Sequence, residues 1–363
     1  MNIQIPKQMK ALVLTAPGQF EVREVPVPVP AAGEVLCRIR AVAICGSDPE
    51  IIRGNLAGFW PPSYPFIPGH EWSGEVVSVG EGVLNLKAGD RVAGQAHKGC
   101  GYCVRCLEGK YNICENYAKF ETGHRHYGFI NNGAYAQYNA YSIKSLNKMP
   151  DNVSFREGAL VDTGGVVTHG MELTGITPGG TVAVIGPGPI GMIAMRVAKL
   201  FGASKVIAVG RRERLKIAAR LCADEVVDFE KQEPVEAVRA LTGGKGVDEV
   251  FECSGAEGTV LQAVKMVRRG GKIGLMGVPD ENVVEKLPPR YIVSNEIDIV
   301  GSKANPNVSH KMLSWVSTGQ LSVKDLVSHT FPLEKFAEAL DTFVSRKGGA
   351  MKVVIEPNGE EKA

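Results

Sequence analysis

At 363 residues the chain is long for one hydrophobic core, so two domains, or one large one, are expected. Apolar residues make up 44% and charged residues 22%, the balance of an ordinary soluble globular enzyme. Its 41 basic and 39 acidic side chains leave a net charge of +2, which gives no field for nucleic acid or an anionic membrane.

The N-terminus, MNIQIPKQMKALVLTAPG, has no apolar run long enough for a signal peptide. EVREVPVPVP is extended by its prolines, and EVLCRIRAVAIC alternates in its first half as a half-buried strand does. GEVVSVG and GDRVAGQ are further strand candidates, so the first 150 or so residues read as a β-rich, barrel-like domain. The pattern changes near residue 163. TVAVIG is a short apolar run, and IGMIAMRVAKLFG follows it with apolar residues at helical spacing up to Gly202. This most apolar stretch is broken by Gly and Pro and makes a poor membrane span. KVIAVG, EVVDF, DEVFECSG, KIGLMG and DIVGSK recur as short buried strands, several with helical segments between them. That alternation predicts an α/β domain with a parallel, doubly wound sheet. A helix near KMLSWV, another in PLEKFAEALDTFV and a last strand, MKVVIEP, then return to the first domain. The predicted division is 1–162 with 303–363, and 163–302. The default location is the cytoplasm, where thiols stay reduced.

GPGPIG places Gly186, Gly188 and Gly191 in G-x-G-x-x-G register around Pro189 and Ile190, after a strand and at the start of a helix. In that context the glycines let the backbone approach a pyrophosphate, whose charge faces the helix N-terminus. An NAD site wants an acid about twenty residues on, for the ribose 2′-hydroxyl. The residues there are Gly210, Arg211 and Arg212. Two guanidiniums without a carboxylate suit a 2′-phosphate, which predicts NADP(H) over NAD(H).

Cys100, Cys103, Cys106 and Cys114 follow C-x2-C-x2-C-x7-C. In a reducing compartment this spacing predicts a closed, structural zinc site. Cys45, in AICGSD, and His70 with Glu71, in PGHEWSGEVVSVGEGV, are individually ambiguous.

GHEWSGEVVSVGEGV resembles the signature of the zinc-containing alcohol dehydrogenases, within the medium-chain dehydrogenase/reductase superfamily. CGSD, the four-cysteine lobe, GPGPIG and FPLEKFAEALDTF fall in the same order, so the resemblance covers nearly the whole chain. It is greatest to the sorbitol/threonine dehydrogenase-like branch. The resemblance implies a GroES-like catalytic domain with an inserted Rossmann domain, and two zinc ions per chain. Cys45, His70 and Asp162, in GALVDTGG, would hold the catalytic zinc, and Glu71 would bind it or stand just behind it. Ser47 resembles the family's hydroxyl relay. Where many relatives carry an outer relay histidine this chain has Pro49 and Glu50, and Glu50 is the candidate substitute. His124 and His126 are read as loop residues, and Phe59, Trp60 and Phe120 as candidate pocket residues.

In sorbitol-type relatives an Arg-Tyr pair follows the last sheet strand. Here GSKANPN offers Ala304 and Asn305, which weakens a plain sorbitol assignment. The arginine pair and the acid at the third zinc position resemble NADP-dependent secondary alcohol dehydrogenases. The expected function is therefore zinc-dependent hydride transfer between NADP(H) and a secondary alcohol or polyol-like hydroxyl, with a ketone in reverse. The expected assembly is a homo-dimer or homo-tetramer. Alternatives are an NAD-dependent polyol/threonine-type dehydrogenase, a zinc-free quinone-type reductase on the same fold, and a non-catalytic zinc- and dinucleotide-binding protein.

Overall fold

The computed structural model describes residues 4–359. Residues 1–3 and 360–363, the outer ends of the predicted catalytic domain, lie outside the described part. The chain divides into two compact units, Met1–Asp162 with Pro306–Ala363, and Thr163–Asn305. The expected α/β class is what the structure has: a β-rich unit and a doubly wound parallel sheet.

The first unit is built on a seven-stranded sheet. Along its path run Val327–Pro332, Lys352–Glu356, Glu34–Ala43, Glu71–Val79, Arg91–Gly94 and Leu146–Lys148, with Tyr138–Ser142 also paired to Glu34–Ala43. The ladder between Glu34–Ala43 and Glu71–Val79 shifts register between Leu36 and Cys37 and again between Ile39 and Ala41. Such irregularities bend and twist a strand, which curls the sheet around its core. Gly74 is needed at the second shift, because a Cβ there would lie 2.2 Å from the Arg38 carbonyl oxygen. Leu12, Val35, Ile39, Val42, Val76, Tyr135, Phe336 and Ile355 fill the core, together with Trp72 stacked on Tyr141 at 4.2 Å. The returning tail is part of this sheet: Lys352–Glu356 pairs antiparallel with Glu34–Ala43, Val354 opposite Ala43.

The second unit is a six-stranded parallel sheet. In spatial order its strands are Glu225–Asp228, Lys205–Gly210, Thr181–Ile185, Val247–Glu252, Val267–Leu275 and Asp298–Gly301. In chain order that is 3-2-1-4-5-6, the dinucleotide-binding arrangement, in which the strand order reverses beside the first strand. Val182, Val184, Val206, Val250 and Ile273 are fully buried, as strands covered on both faces require. The helix expected after TVAVIG spans Pro189–Leu200, with Gly202 at φ 98° just beyond its end. No helix among the described residues is long and apolar enough to cross a membrane.

Candidate metal and dinucleotide sites

Sheet register assembles the first site. Ala43 lies opposite Glu71, so Cys45, two residues past one strand, and His70, just before the other, emerge at the same edge. The ligand atoms of Cys45, His70 and Glu71 all lie within 4.8 Å of one another. Gly69 makes the approach to His70 possible. It sits at φ 96°, and a Cβ would meet the Tyr135 ring at 2.8 Å. Asp162 is buried near the start of helix Val161–Thr174; it lies outside the trio but acts electrostatically on His70.

Two residues that the sequence reading assigned no role complete the charge pattern. Asp48 is fully buried and accepts hydrogen bonds from the Cys45 amide (2.8 Å) and the Tyr135 hydroxyl (2.7 Å). Its other oxygen lies 3.7 Å from His70 Nδ1, the place from which a carboxylate orients a ligating imidazole. Lys352, equally buried, donates to the Glu71 carboxylate. The strand pairing explains it: two residues before Val354, which faces Ala43 in the antiparallel ladder, Lys352 reaches the level of Cys45. Burial alone would push the His70 imidazole down, but Cys45, Asp48 and Asp162 outweigh it and hold the ring at about 10. A buried pocket that gathers this much negative charge around one imidazole has the electrostatics of a cation site. Its thiolate, imidazole and carboxylate donors are those zinc takes.

Ser47 begins helix Ser47–Arg53, and its buried hydroxyl has no hydrogen-bond partner among the described residues. Glu50, three residues on, is already engaged. Its carboxylate is taken by Arg53 and Asn55 on the exposed side of the same short helix.

The four-cysteine lobe has metal-ready geometry. Cys100 Sγ lies 3.9 Å from Cys106 Sγ, and Cys103 Sγ 3.8 Å from Cys114 Sγ. The edge of a tetrahedron with zinc–sulfur bonds of about 2.3 Å is ~3.8 Å. The amides of Cys100, Cys103 and Asn116 and the Asn116 side chain point at these sulfurs. Burial raises the Cys100 thiol, but the hydrogen bonds from Tyr102, Asn116 and Cys103 win and lower it to about 6. Asn307, from the returning tail, holds the lobe by donating to Gly109 O (2.8 Å) and to the Tyr111 hydroxyl (3.0 Å).

In the second unit the glycine loop lies at the strand-order reversal. Gly191 packs against the loop so closely that a Cβ would lie 2.0 Å from Gly186 O. Gly188 caps helix Pro189–Leu200 without a side-chain bond, and Pro189 occupies the first turn. The remaining first-turn amides are thus left for a ligand anion. Gly210 ends its strand, and Arg211 and Arg212 follow at the start of helix Arg212–Leu221. A third guanidinium, that of Arg214, lies 3.6 Å from where a Cβ on Gly188 would stand.

The chain matches two family models, the alcohol dehydrogenase GroES-like domain over residues 31–151 and the zinc-binding dehydrogenase over residues 189–318. It is 33% identical over 359 residues to sorbitol dehydrogenase of Bacillus subtilis, covering 99% of this chain and 100% of that one. It is 34% identical over 361 residues to L-threonine 3-dehydrogenase of Bacillus licheniformis, covering 96% and 99%. The chain belongs to the zinc-containing alcohol dehydrogenase family. Two solved structures share its fold over 97% of its length and 100% of theirs. One is a candidate zinc-binding dehydrogenase from Sinorhizobium meliloti 1021 bound to NADP (TM-score 0.88, 30% identity). The other is described as a short chain alcohol dehydrogenase from Escherichia coli CFT073 and carries NADH (TM-score 0.87, 28% identity).

In this zinc-containing dehydrogenase the histidines read as loop residues are buried. His124 and His126 are 0% and 2% exposed, and His97 is buried beside them. An aromatic wall runs from His70 to the surface. Phe129 lies 4.6 Å from the His70 ring and stacks on His126 at 3.9 Å, and Trp60 packs on Phe129 at 4.9 Å. Trp60 Nε1 donates to the Tyr117 hydroxyl (2.6 Å), which is hydrogen-bonded to His126 Nδ1 (2.7 Å). Phe59, half exposed, stacks on Trp60 at the outer end. Phe120 does not appear among these ring contacts and is 43% exposed. GHRHYG is a short stretch bracketed by glycines, which is why it read as a loop. Its burial depends on pairing His126 with His97, a contact that sequence spacing does not signal.

Proposed function

We propose that this zinc-containing dehydrogenase transfers a hydride between NADP(H) and a secondary alcohol or polyol-like hydroxyl, with the ketone as the reverse substrate. The observation that carries the reading is the meeting of Cys45, His70 and Glu71, with the buried, unpartnered Ser47 hydroxyl two residues along the chain from Cys45. Zinc, when bound there, supplies the Lewis acidity that activates a hydroxyl or polarises a carbonyl. Cys45 and His70 hold it, with Asp162 as third ligand. Asp48 fixes the His70 ring. Glu71, with its charge met by Lys352, stands behind the ligands. Ser47 takes the substrate proton and passes it outward. The aromatic wall of Phe129, Trp60 and Phe59 excludes water from the reacting carbon.

Gly186, Gly188 and Gly191, with Pro189 and Ile190, cradle the pyrophosphate. Arg211 and Arg212, beside Gly210, take the 2′-phosphate. The S. meliloti relative with NADP bound supports this choice, and the NADH-bound E. coli relative marks the alternative. The four-cysteine lobe holds a second, structural zinc, giving two per chain. The β-rich unit is the catalytic domain and the parallel-sheet unit the cofactor domain. We place the enzyme in the cytoplasm as a homo-dimer or homo-tetramer.

The test is a turnover panel of secondary alcohols, diols, polyols and threonine with NADP+ and NAD+, and ketones in reverse, on protein with its zinc counted. Turnover of a secondary alcohol or polyol, faster with NADP+, at about two zinc per chain is expected. Faster turnover with NAD+ overturns the cofactor assignment, and a zinc-replete sample inert across the panel overturns the substrate class. In the same assay Ser47→Ala should lower kcat about 100-fold with zinc retained.

A further inference from the structure

Arg211 and Arg212 are not free guanidiniums waiting for a ligand. Both are engaged by one carboxylate, Glu230. Arg211 Nη1 lies 3.1 Å from its Oε1, and Arg212 reaches the same oxygen through Nε at 3.0 Å and Nη2 at 2.9 Å. The sheet delivers this acid. Strands Lys205–Gly210 and Glu225–Asp228 run parallel with Gly210 beside Asp228, and the Phe229 amide donates to Gly210 O at 3.1 Å. The chain then turns, with the Glu230 amide donating to Asp228 Oδ1, and Glu230 comes out level with the two arginines. Arg211 also lies over the Phe229 ring, its guanidinium carbon 5.4 Å from the centroid. Arg212 takes part from a backbone conformation that L-residues avoid, at φ 54°. Strain of this kind persists where the surroundings fix it, and it recurs at ligand sites.

We propose that Glu230 is a built-in competitor for the cofactor's 2′-phosphate. It occupies both guanidiniums in the free protein, must give them up when the phosphorylated cofactor binds, and so sets how strongly the chain favours NADP(H) over NAD(H). The inference rests on the reading of Arg211 and Arg212 as the 2′-phosphate residues. Two guanidiniums less one carboxylate leave a single net positive charge to meet a phosphate dianion. The exchange is feasible because the pairs are solvent-exposed, with side chains 44%, 71% and 35% accessible for Arg211, Arg212 and Glu230. Such a pair is worth a factor of roughly 1.5 to 5 in an equilibrium constant, which a charge-assisted phosphate contact can exceed. The Arg212 and Arg211 hydrogen bonds and charges hold the Glu230 carboxyl below its usual range, so it is ionised at neutral pH.

The test is fluorescence titration of NADPH and NADH onto the full-length wild type, Glu230→Gln, and an Arg211→Gln/Arg212→Gln double variant, at low and high salt. Glu230→Gln should bind NADPH about 3- to 10-fold more tightly at low salt, with the gain shrinking as salt rises and NADH affinity within about twofold of wild type. Unchanged or weaker NADPH binding overturns the inference. Weaker binding would mean that Glu230 positions the arginines instead of competing for them. The double variant separates the two levels. If it loses NADPH affinity while Glu230→Gln changes nothing, only the competitor role falls. If it binds NADPH as the wild type does, the cofactor reading falls and this inference with it. Glu230 lies on a turn at the surface, and an unshifted thermal midpoint checks that Glu230→Gln folds normally.

Discussion

Within the first unit, two clusters that could each hold a metal ion are built in opposite ways. The lobe draws its four sulfurs from the stretch Cys100–Cys114 and satisfies them with amides from the same loop and from Asn116. The Cys45–His70–Glu71 trio takes its side chains from two strand ends, and its charged partners come from elsewhere: Asp48, itself held by Tyr135, and Lys352, 281 positions from Glu71. A set of four identical donors closes on itself and leaves nothing for substrate. A mixed set, propped by buried ion pairs, fixes its donors while keeping the chemistry addressable. The lobe's contribution is therefore expected in durability and the trio's in rate.

The sharpest way to break that contrast is to disable each set in turn. His70→Ala should remove one zinc per chain and lower kcat/KM by about 1,000-fold or more, while resistance to heat inactivation stays near wild type. Cys103→Ser should also remove one zinc, but should shorten the half-life at elevated temperature while freshly prepared protein still turns over. If the two variants trade places in these assays, the contrast is wrong.

Next in size is Lys352→Met, which strands the Glu71 carboxylate in a buried site. A stability loss of about 3–5 kcal/mol is expected, largely recovered by adding Glu71→Gln. All three tryptophans, Trp60, Trp72 and Trp315, belong to the first unit, so urea unfolding followed by tryptophan fluorescence reads this unit selectively. No shift in midpoint for Lys352→Met would show that the ion pair does not support the site. The smallest effect expected is that of Asp48→Asn, which keeps the shape but removes the charge behind His70. Zinc affinity at this site should fall about 10- to 100-fold, read by competition with a chromophoric chelator. Lobe zinc should be unaffected, and parallel losses from both sites would contradict the assignment of Asp48 to His70.

What was legible in the sequence follows the range of the interactions. The lobe and the glycine loop are short, self-contained spacings, and each folds as its spacing suggests. The doubly wound sheet was legible because each strand is a compact apolar run between turns. Asp48 stood in view within CGSD, yet its bond to Tyr135 spans 87 positions and no local pattern announces it. Lys352 sits in a plain strand, and only the pairing of the tail with Glu34–Ala43 shows what it faces. Glu230 was passed over for the same reason. It follows Arg211 and Arg212 by 19 and 18 positions and meets them only because neighbouring parallel strands end level. The partners of Glu50 are equally hidden from the sequence, since the seven-residue helix is what turns its carboxylate toward Arg53 and Asn55.

The strand Lys352–Glu356 carries a further consequence, for the order in which the chain is completed on the ribosome. The parallel-sheet unit is one continuous segment and can fold once Asn305 has cleared the exit tunnel. The first unit cannot complete its sheet at that stage, because Lys352–Glu356, the strand that pairs with the Val42–Ala43 end, has yet to emerge. Until it arrives, the Val42–Ala43 end of that strand lacks its tail partner, although Tyr138–Ser142 already covers Glu34–Arg38, and Glu71 lacks its cation. At about 5–20 residues per second this interval lasts several seconds. The part of the protein synthesised first is thus the part finished last, and a nascent chain stalled once Asn305 has emerged would carry a folded parallel-sheet unit and a first sheet still short of its tail strands.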